Sequence, residues 1–144
     1  MKKFKKILFI DDDPIATYFN KCLIGKLNLS QEIESTATEQ EGLAWIQTNC
    51  RGPYKGKKHQ GQVLIFSDLT ITAMNGFQLI NAIRELEQKK EIQAPFLYFL
   101  TSSELTEMFT ACDTSFVHGF LSKNLSEDDI HLVLSEDKQI VMQL

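Results

Sequence analysis

No stretch of this chain is apolar for long enough to cross a bilayer or to form a secretory core. The N-terminus opens with positive charge, but its apolar run, Ile7 to Ile10, ends in three aspartates. Excess positive charge is missing too: the formal net charge is −4, so nothing draws the chain as a whole to nucleic acid or to an anionic membrane. The one basic cluster, Lys55 to Lys58, sits among glycine, proline and tyrosine, as a solvated loop would. Cysteine is scarce. Cys22, Cys50 and Cys112 are odd in number, far apart and without metal-ligand spacing, which favours reduced thiols in a cytosolic protein over a disulfide framework. Cys22 and Cys112 fall on apolar helical stripes and are expected in the core. His59, His118 and His131 also lack metal spacing and read as structural or exposed. A phosphate-binding glycine loop fails because position 51 is Arg and Lys58 stands where Ser or Thr is required. No internal repeat is visible.

What is present is one domain's worth of alternating elements. The 144 residues are expected to form a single unit, 1–144, with a core from about 5 to 135 and a short tail over 137–144. Lys6 to Ile10 reads as a strand stopped by Asp11-Asp12-Asp13-Pro14, with Asp13 as N-cap and Pro14 at the first helical position. Ile15, Tyr18, Phe19, Cys22 and Leu23 recur at helical spacing, and Gly25 falls near the end of that helix, where glycine is a common stop. Glu32 to Thr36 is a second strand, followed by the capping box Thr38 to Glu41 and a helix carrying Leu43, Ala44, Trp45 and Ile46. Residues 49–62 read as an exposed loop. Val63 to Asp68 is a fully buried strand running into a carboxylate, and Leu69 to Gly76 reads as the loop behind it. Asn75 and Gln78 cap a helix with Phe77, Ile80, Ile83 and Leu86 on one side. Pro95 to Leu100 and Phe116 to Leu121 are the last two strands. Between them a helix shows Leu105, Met108, Phe109 and Cys112, and after them Ser126 caps a final helix with Leu125 and Ile130 as a hydrophobic staple. This βα order, five times over, predicts a doubly wound α/β fold with a parallel sheet and right-handed crossovers.

In such a sheet every strand delivers its carboxyl end to one crevice. Asp11 and Asp12 after the first strand, Asp68 after the third, Thr101 after the fourth and Lys123 after the fifth are therefore expected to converge. Three carboxylates within ~4 Å of one another repel by several kcal/mol per pair at an effective dielectric of 20, which calls for a hard dication such as Mg²⁺. Asp68 can act as a nucleophile that forms an acyl phosphate, with Lys123 neutralising a phosphoryl oxygen and Thr101 donating to another. Singly, each group has a bland reading as turn residue, helix cap or surface charge; jointly, at successive strand ends, those readings lose their force.

The segments Ile7 to Pro14, Asp68 with Met74-Asn75-Gly76-Phe77, Leu100 to Ser103 and Gly119 to Lys123 together resemble the receiver domain of two-component response regulators, from about Lys5 to Ser135. The resemblance implies a CheY-like, flavodoxin-like five-stranded parallel sheet of order 2-1-3-4-5 with five helices. It implies that Asp68 accepts phosphate from a phosphohistidine of a sensor histidine kinase or phosphotransfer protein in a phosphorelay. Asp11 and Asp12 would hold Mg²⁺ with Asp68 and the Thr70 backbone carbonyl. Thr101 and Phe120 would be the switch pair. The output would be a changed surface on the helix carrying Leu105 to Cys112, the last strand and the last helix, for a downstream protein or a homodimer. It would be a phosphoprotein and a regulator, not an enzyme beyond its own phosphorylation and dephosphorylation, without direct contact to nucleic acid or membrane. Because the chain ends soon after its last helix, the expectation is a stand-alone receiver or a fragment of something longer.

Two departures from the family pattern stand out: Ile71-Thr72 replaces Met-Pro after the acceptor, and Lys123-Asn124 replaces Lys-Pro. Since a cis bond before a non-proline residue costs about 3 kcal/mol, a trans bond is predicted after Lys123. Two other readings compete. One is a receiver-like interaction module that is never phosphorylated. The other is a Mg²⁺-dependent aspartyl-phosphate phosphohydrolase of the haloacid dehalogenase type, which needs a second Asp where Thr70 stands.

Overall fold

A computed structural model describes residues 4–51, 63–74, 78–101 and 117–142. The strands β1 (Lys6–Ile10), β2 (Ile33–Thr36), β3 (Val63–Asp68), β4 (Phe96–Thr101) and β5 (Gly119–Ser122) pair in parallel in the order β2-β1-β3-β4-β5. Around them lie α1 (Pro14–Lys26), α2 (Glu39–Asn49), α3 (Leu69–Met74), α4 (Gln78–Gln88) and α5 (Glu127–Met142). This is the doubly wound order expected from the sequence. The helix expected around Leu105 to Cys112 lies outside the described residues, as does Cys112.

The strands alternate their side chains between two cores, as the pleat requires. Leu8, Ile10, Val63, Ile65, Leu97 and Phe99 face a largely aliphatic layer that includes Ile46 of α2 and Leu79, Ile80 and Ile83 of α4. Ile7, Phe9, Leu64, Phe66, Phe96 and Tyr98 face the layer with Ile24 of α1 and Ile130 and Val133 of α5. That second layer is rich in rings: Phe9 stacks on Phe66 at 5.1 Å, and Phe66 lies 6.2 Å from Tyr98. On the first side, α2 comes so close to β1 that a Cβ on Gly42 would meet Ile10 Cδ1 at 2.5 Å.

Several local expectations change. Most of the periodic apolar stripe of α1 points outward: Ile15, Tyr18 and Phe19 are each more than 60% exposed and Cys22 is exposed instead of core, while Leu23 packs against the ring-rich layer. The buried side of α1 is Ala16, Thr17, Asn20 and Ile24. Gly25 lies near the end of α1, as expected; the helix runs through Lys26, and Asn28 takes the left-handed turn at φ 56°. Asn49 belongs to α2, Cys50 is buried and Arg51 bridges Ile92, so the loop expected from residue 49 starts later; residues 52–62 lie outside the described part. Burial pushes the Cys50 thiol up to about 12, against the pull of Lys6, which makes it unreactive. The segment behind Asp68 is not a loop throughout, since Leu69–Met74 is helical.

Candidate functional site

Each strand end is fixed by local chemistry before it reaches the crevice. Asp13 caps α1, its Oδ1 accepting from the Ile15 and Ala16 N–H groups at 3.0 and 3.2 Å. Pro14 sits at the first helical position without wasting a donor. The Asp13 N–H in turn donates to Asp11 Oδ1 at 2.9 Å, which folds the first carboxylate back over the end of β1. Asp68 closes β3 and its Oδ1 accepts from the Thr70 N–H at 2.9 Å. On the far side, the Lys123 N–H donates to the Thr101 carbonyl at 3.2 Å, so the end of β4 carries the turn that presents the lysine.

The expected convergence is present for Asp11, Asp12, Asp68 and Lys123. Ligand oxygens of the three aspartates lie within 4.8 Å of one another. Asp11 and Asp68 are buried, at 5% and 3% exposure, whereas Asp12 is exposed at the rim. Lys123 Nζ donates to Asp68 Oδ2 at 3.2 Å and stands 3.8 Å from Asp11 and 3.9 Å from Asp13. One ammonium against this many carboxylates leaves a deficit of positive charge. Burial, and the neighbouring Asp68 charge, push the Asp11 carboxyl up to about 6 despite the Asp13 N–H and Lys123. Burial also works against the Lys123 charge, but the Asp68 hydrogen bond and the surrounding carboxylates outweigh it and hold that amine above its ordinary value. Asp11 Oδ2 is buried with no hydrogen-bond partner. A buried carboxylate oxygen without a partner, on a residue grouped with two more acids, suits a hard divalent cation, so the donor set fits Mg²⁺.

Thr101 ends β4, nearly buried, one place beyond the residue paired with Asp68. Phe120 lies on β5, 37% exposed, and stacks on Phe99 at 6.3 Å. The bond after Lys123 is trans, as expected from Asn124, there being no cis peptide among the described residues.

No protein-family model and no curated protein sequence matches the chain. Solved structures do. A two-component response regulator from Cytophaga hutchinsonii superposes with a TM-score of 0.69 at 20% identity, over 94% of this chain and 97% of that one. The fold is that of response-regulator receiver domains. A second such regulator, from Legionella pneumophila, gives 0.67 at 20% identity over 93% of this chain and 98% of its own. The receiver domain of a sensor histidine kinase from Pseudomonas aeruginosa, whose structure has magnesium in the active-site cleft, gives 0.64 at 14% identity, covering 91% and 94%. Within this receiver fold, no helix among the described residues is long and apolar enough to cross a membrane.

Sequence reasoning missed two contributors. Asp13 has a second use, since its Oδ2 faces Lys123 while its Oδ1 caps the helix. Asn20 is 3% exposed and reaches the turn after Lys123. The available signal was a carboxamide in the series Ala16, Asn20, Ile24, three positions on one side of a helix of which only the middle one is polar.

Proposed function

We propose that the chain is a phosphoacceptor receiver of a two-component phosphorelay, with Asp68 as the acceptor. The observation that carries this reading is the junction of Asp68, two further aspartates and a lysine at strand ends brought together only by the fold. Asp11, Asp12 and Asp68 would hold Mg²⁺. The Thr70 backbone carbonyl would be a further ligand. The ion, when bound, offsets the clustered carboxylate charge and that of the incoming phosphoryl oxygens.

A carboxylate oxygen of Asp68 attacks the phosphorus of a phosphohistidine. The N–P bond breaks, its electron pair stays on the imidazole nitrogen, and an acyl phosphate forms. The Thr70 N–H on Oδ1 fixes the rotation of the Asp68 carboxylate. The Lys123 ammonium, placed by its contact with Oδ2, supplies a point charge to a phosphoryl oxygen, and the Thr101 hydroxyl donates to another. Inward movement of Thr101 then makes room for Phe120, whose present exposure gives the switch a starting position. The added phosphoryl charge biases the two arrangements only as far as it binds one of them better. A protein donor, a kinase or phosphotransfer protein, fits the outward stripe of Ile15, Tyr18 and Phe19, which begins beside Asp13 at the mouth of the site. The output is a surface that includes β5 and α5, open to a downstream protein or a second copy, and the chain acts as a cytoplasmic regulator that turns over nothing but its own phosphoryl group.

The test is mass spectrometry after incubation with acetyl phosphate and Mg²⁺. The wild type should gain one phosphoryl group and Asp68→Asn none. An adduct on Asp68→Asn would refute the acceptor assignment; no adduct on either would favour the unphosphorylated interaction module.

A further inference from the structure

The lysine of the site is held at the end of a turn with little to define it. Asn124 is exposed and brings no ring constraint, and the chain re-enters regular structure only at Ser126, whose hydroxyl accepts from the Asp129 N–H to cap α5. Across this gap lies the one buried carboxamide of α1. Asn20 Nδ2 donates to the Lys123 carbonyl at 3.2 Å, and Asn20 Oδ1 accepts from the Leu125 N–H at 3.2 Å. A carboxamide alone among small side chains offers a donor and an acceptor side by side, and it matches a carbonyl and an N–H two residues apart. The far side of Lys123 is pinned to β4 by its N–H on the Thr101 carbonyl. The lysine backbone is therefore clamped from both sides, by β4 and by α1. We propose that Asn20 is a positioning residue: by bridging Lys123 and Leu125 it sets the turn that aims the Lys123 ammonium at Asp68.

The aim matters because the ammonium has rival partners. It is within hydrogen-bond reach of Asp68 alone, with Asp11 and Asp13 little more than half an ångström farther off. A small displacement of the lysine backbone keeps the attraction to the acids as a group but surrenders the bond to the acceptor. A shift of about 1 Å in a reacting group costs on the order of 100-fold in rate. The consequence for phosphoryl transfer rests on the function proposed above; the clamp itself does not.

The experiment pairs two readouts on Asn20→Ala and Asn20→Asp, the second being isosteric and setting a carboxylate oxygen against the Lys123 carbonyl. A short pulse of an amine-acylating reagent, read by mass spectrometry, reports how tightly each lysine is held. Lys123 should label severalfold faster in both variants, with Lys5 and Lys89 unchanged as internal references. Phosphorylation by acetyl phosphate should slow by about 10- to 100-fold, and Asn20→Ala should cost nothing further in a Lys123→Ala background. Unchanged labelling of Lys123, faster labelling of every lysine, or a rate loss that persists without Lys123 would each overturn the proposal. A wild type that takes no phosphoryl group while Lys123 still responds to Asn20 would instead retire the phosphoacceptor reading and leave the clamp standing. Should Asn20→Ala fail to fold, Asn20→Asp alone decides.

Discussion

Phe66 and Asp68 stand two positions apart on β3, both almost without solvent contact, yet burial affects them in opposite ways. Phe66 stacks on Phe9 and leans toward Tyr98 across adjacent strands, so its burial contributes about 1.5–3 kcal/mol from lost water contact alone. Asp68 and its neighbour Asp11 lose hydration and face each other's charge, against one ammonium. The ring layer holds the sheet together; the acid end is held together by it. Stability and chemistry are thus separated along a strand by one pleat.

The largest effect that would test this division is Phe66→Ala, expected to cost about 3–5 kcal/mol in urea unfolding because a stacked ring leaves a cavity. At low temperature the folded fraction should still accept phosphate. A cost below about 1 kcal/mol would mean that the ring layer is not what holds the sheet together.

Next, and opposite in sign, is Asp11→Asn. Burial raises the Asp11 carboxyl to about 6 from 3.8, so the folded chain retains a proton there that the unfolded chain has lost. Stability of the Mg²⁺-free wild type is therefore highest on the acid side of that window and falls as pH rises through about 6. Above it, Asp11→Asn should be more stable by roughly 1–3 kcal/mol, with a flatter stability profile between pH 4 and 7 and no further stabilisation by Mg²⁺. Thermal melts across that range, with and without Mg²⁺, read all three; a less stable Asp11→Asn at pH 8 would break the contrast.

Smallest in stability is Tyr18→Ser with Phe19→Ser on the outward side of α1. These exposed positions should change unfolding free energy by no more than about 0.5 kcal/mol each. Transfer from a protein phosphodonor should slow while phosphorylation by acetyl phosphate stays as it was. Equal slowing with both donors would place these rings in the folding of the site instead of at its mouth.

Most of the sheet was legible because buried parallel strands read as continuous apolar runs, and Val63 to Phe66 and Phe96 to Leu100 are of that kind. The caps at Asp13, Thr38 and Ser126 were legible because a short polar side chain before a helix has few other uses. What misled was the assumption that an apolar stripe marks the inward side of a helix. On α1 the spacing of Ile15, Tyr18, Phe19 and Cys22 is regular, but the side facing the protein meets the main chain of the turn after Lys123. Small or hydrogen-bonding Ala16, Thr17 and Asn20 therefore serve there. Asn20 was invisible for the same reason: its partners are main-chain atoms more than a hundred positions away, and main-chain atoms leave no trace in residue types. The helical turn Leu69–Met74 was missed because six residues ahead of Asn-Gly are too few for a periodic signal.

The sheet's strand lengths also govern how the molecule behaves in a crowd. Its two outer strands, β2 and β5, span four residues each, whereas β3 and β4 inside span six. A short border exposes few unsatisfied rungs, and β2 has Glu34 within it. Copies meeting at high concentration therefore find little backbone to zip onto along these two borders, and any contact between them must be made by side chains instead of ladders.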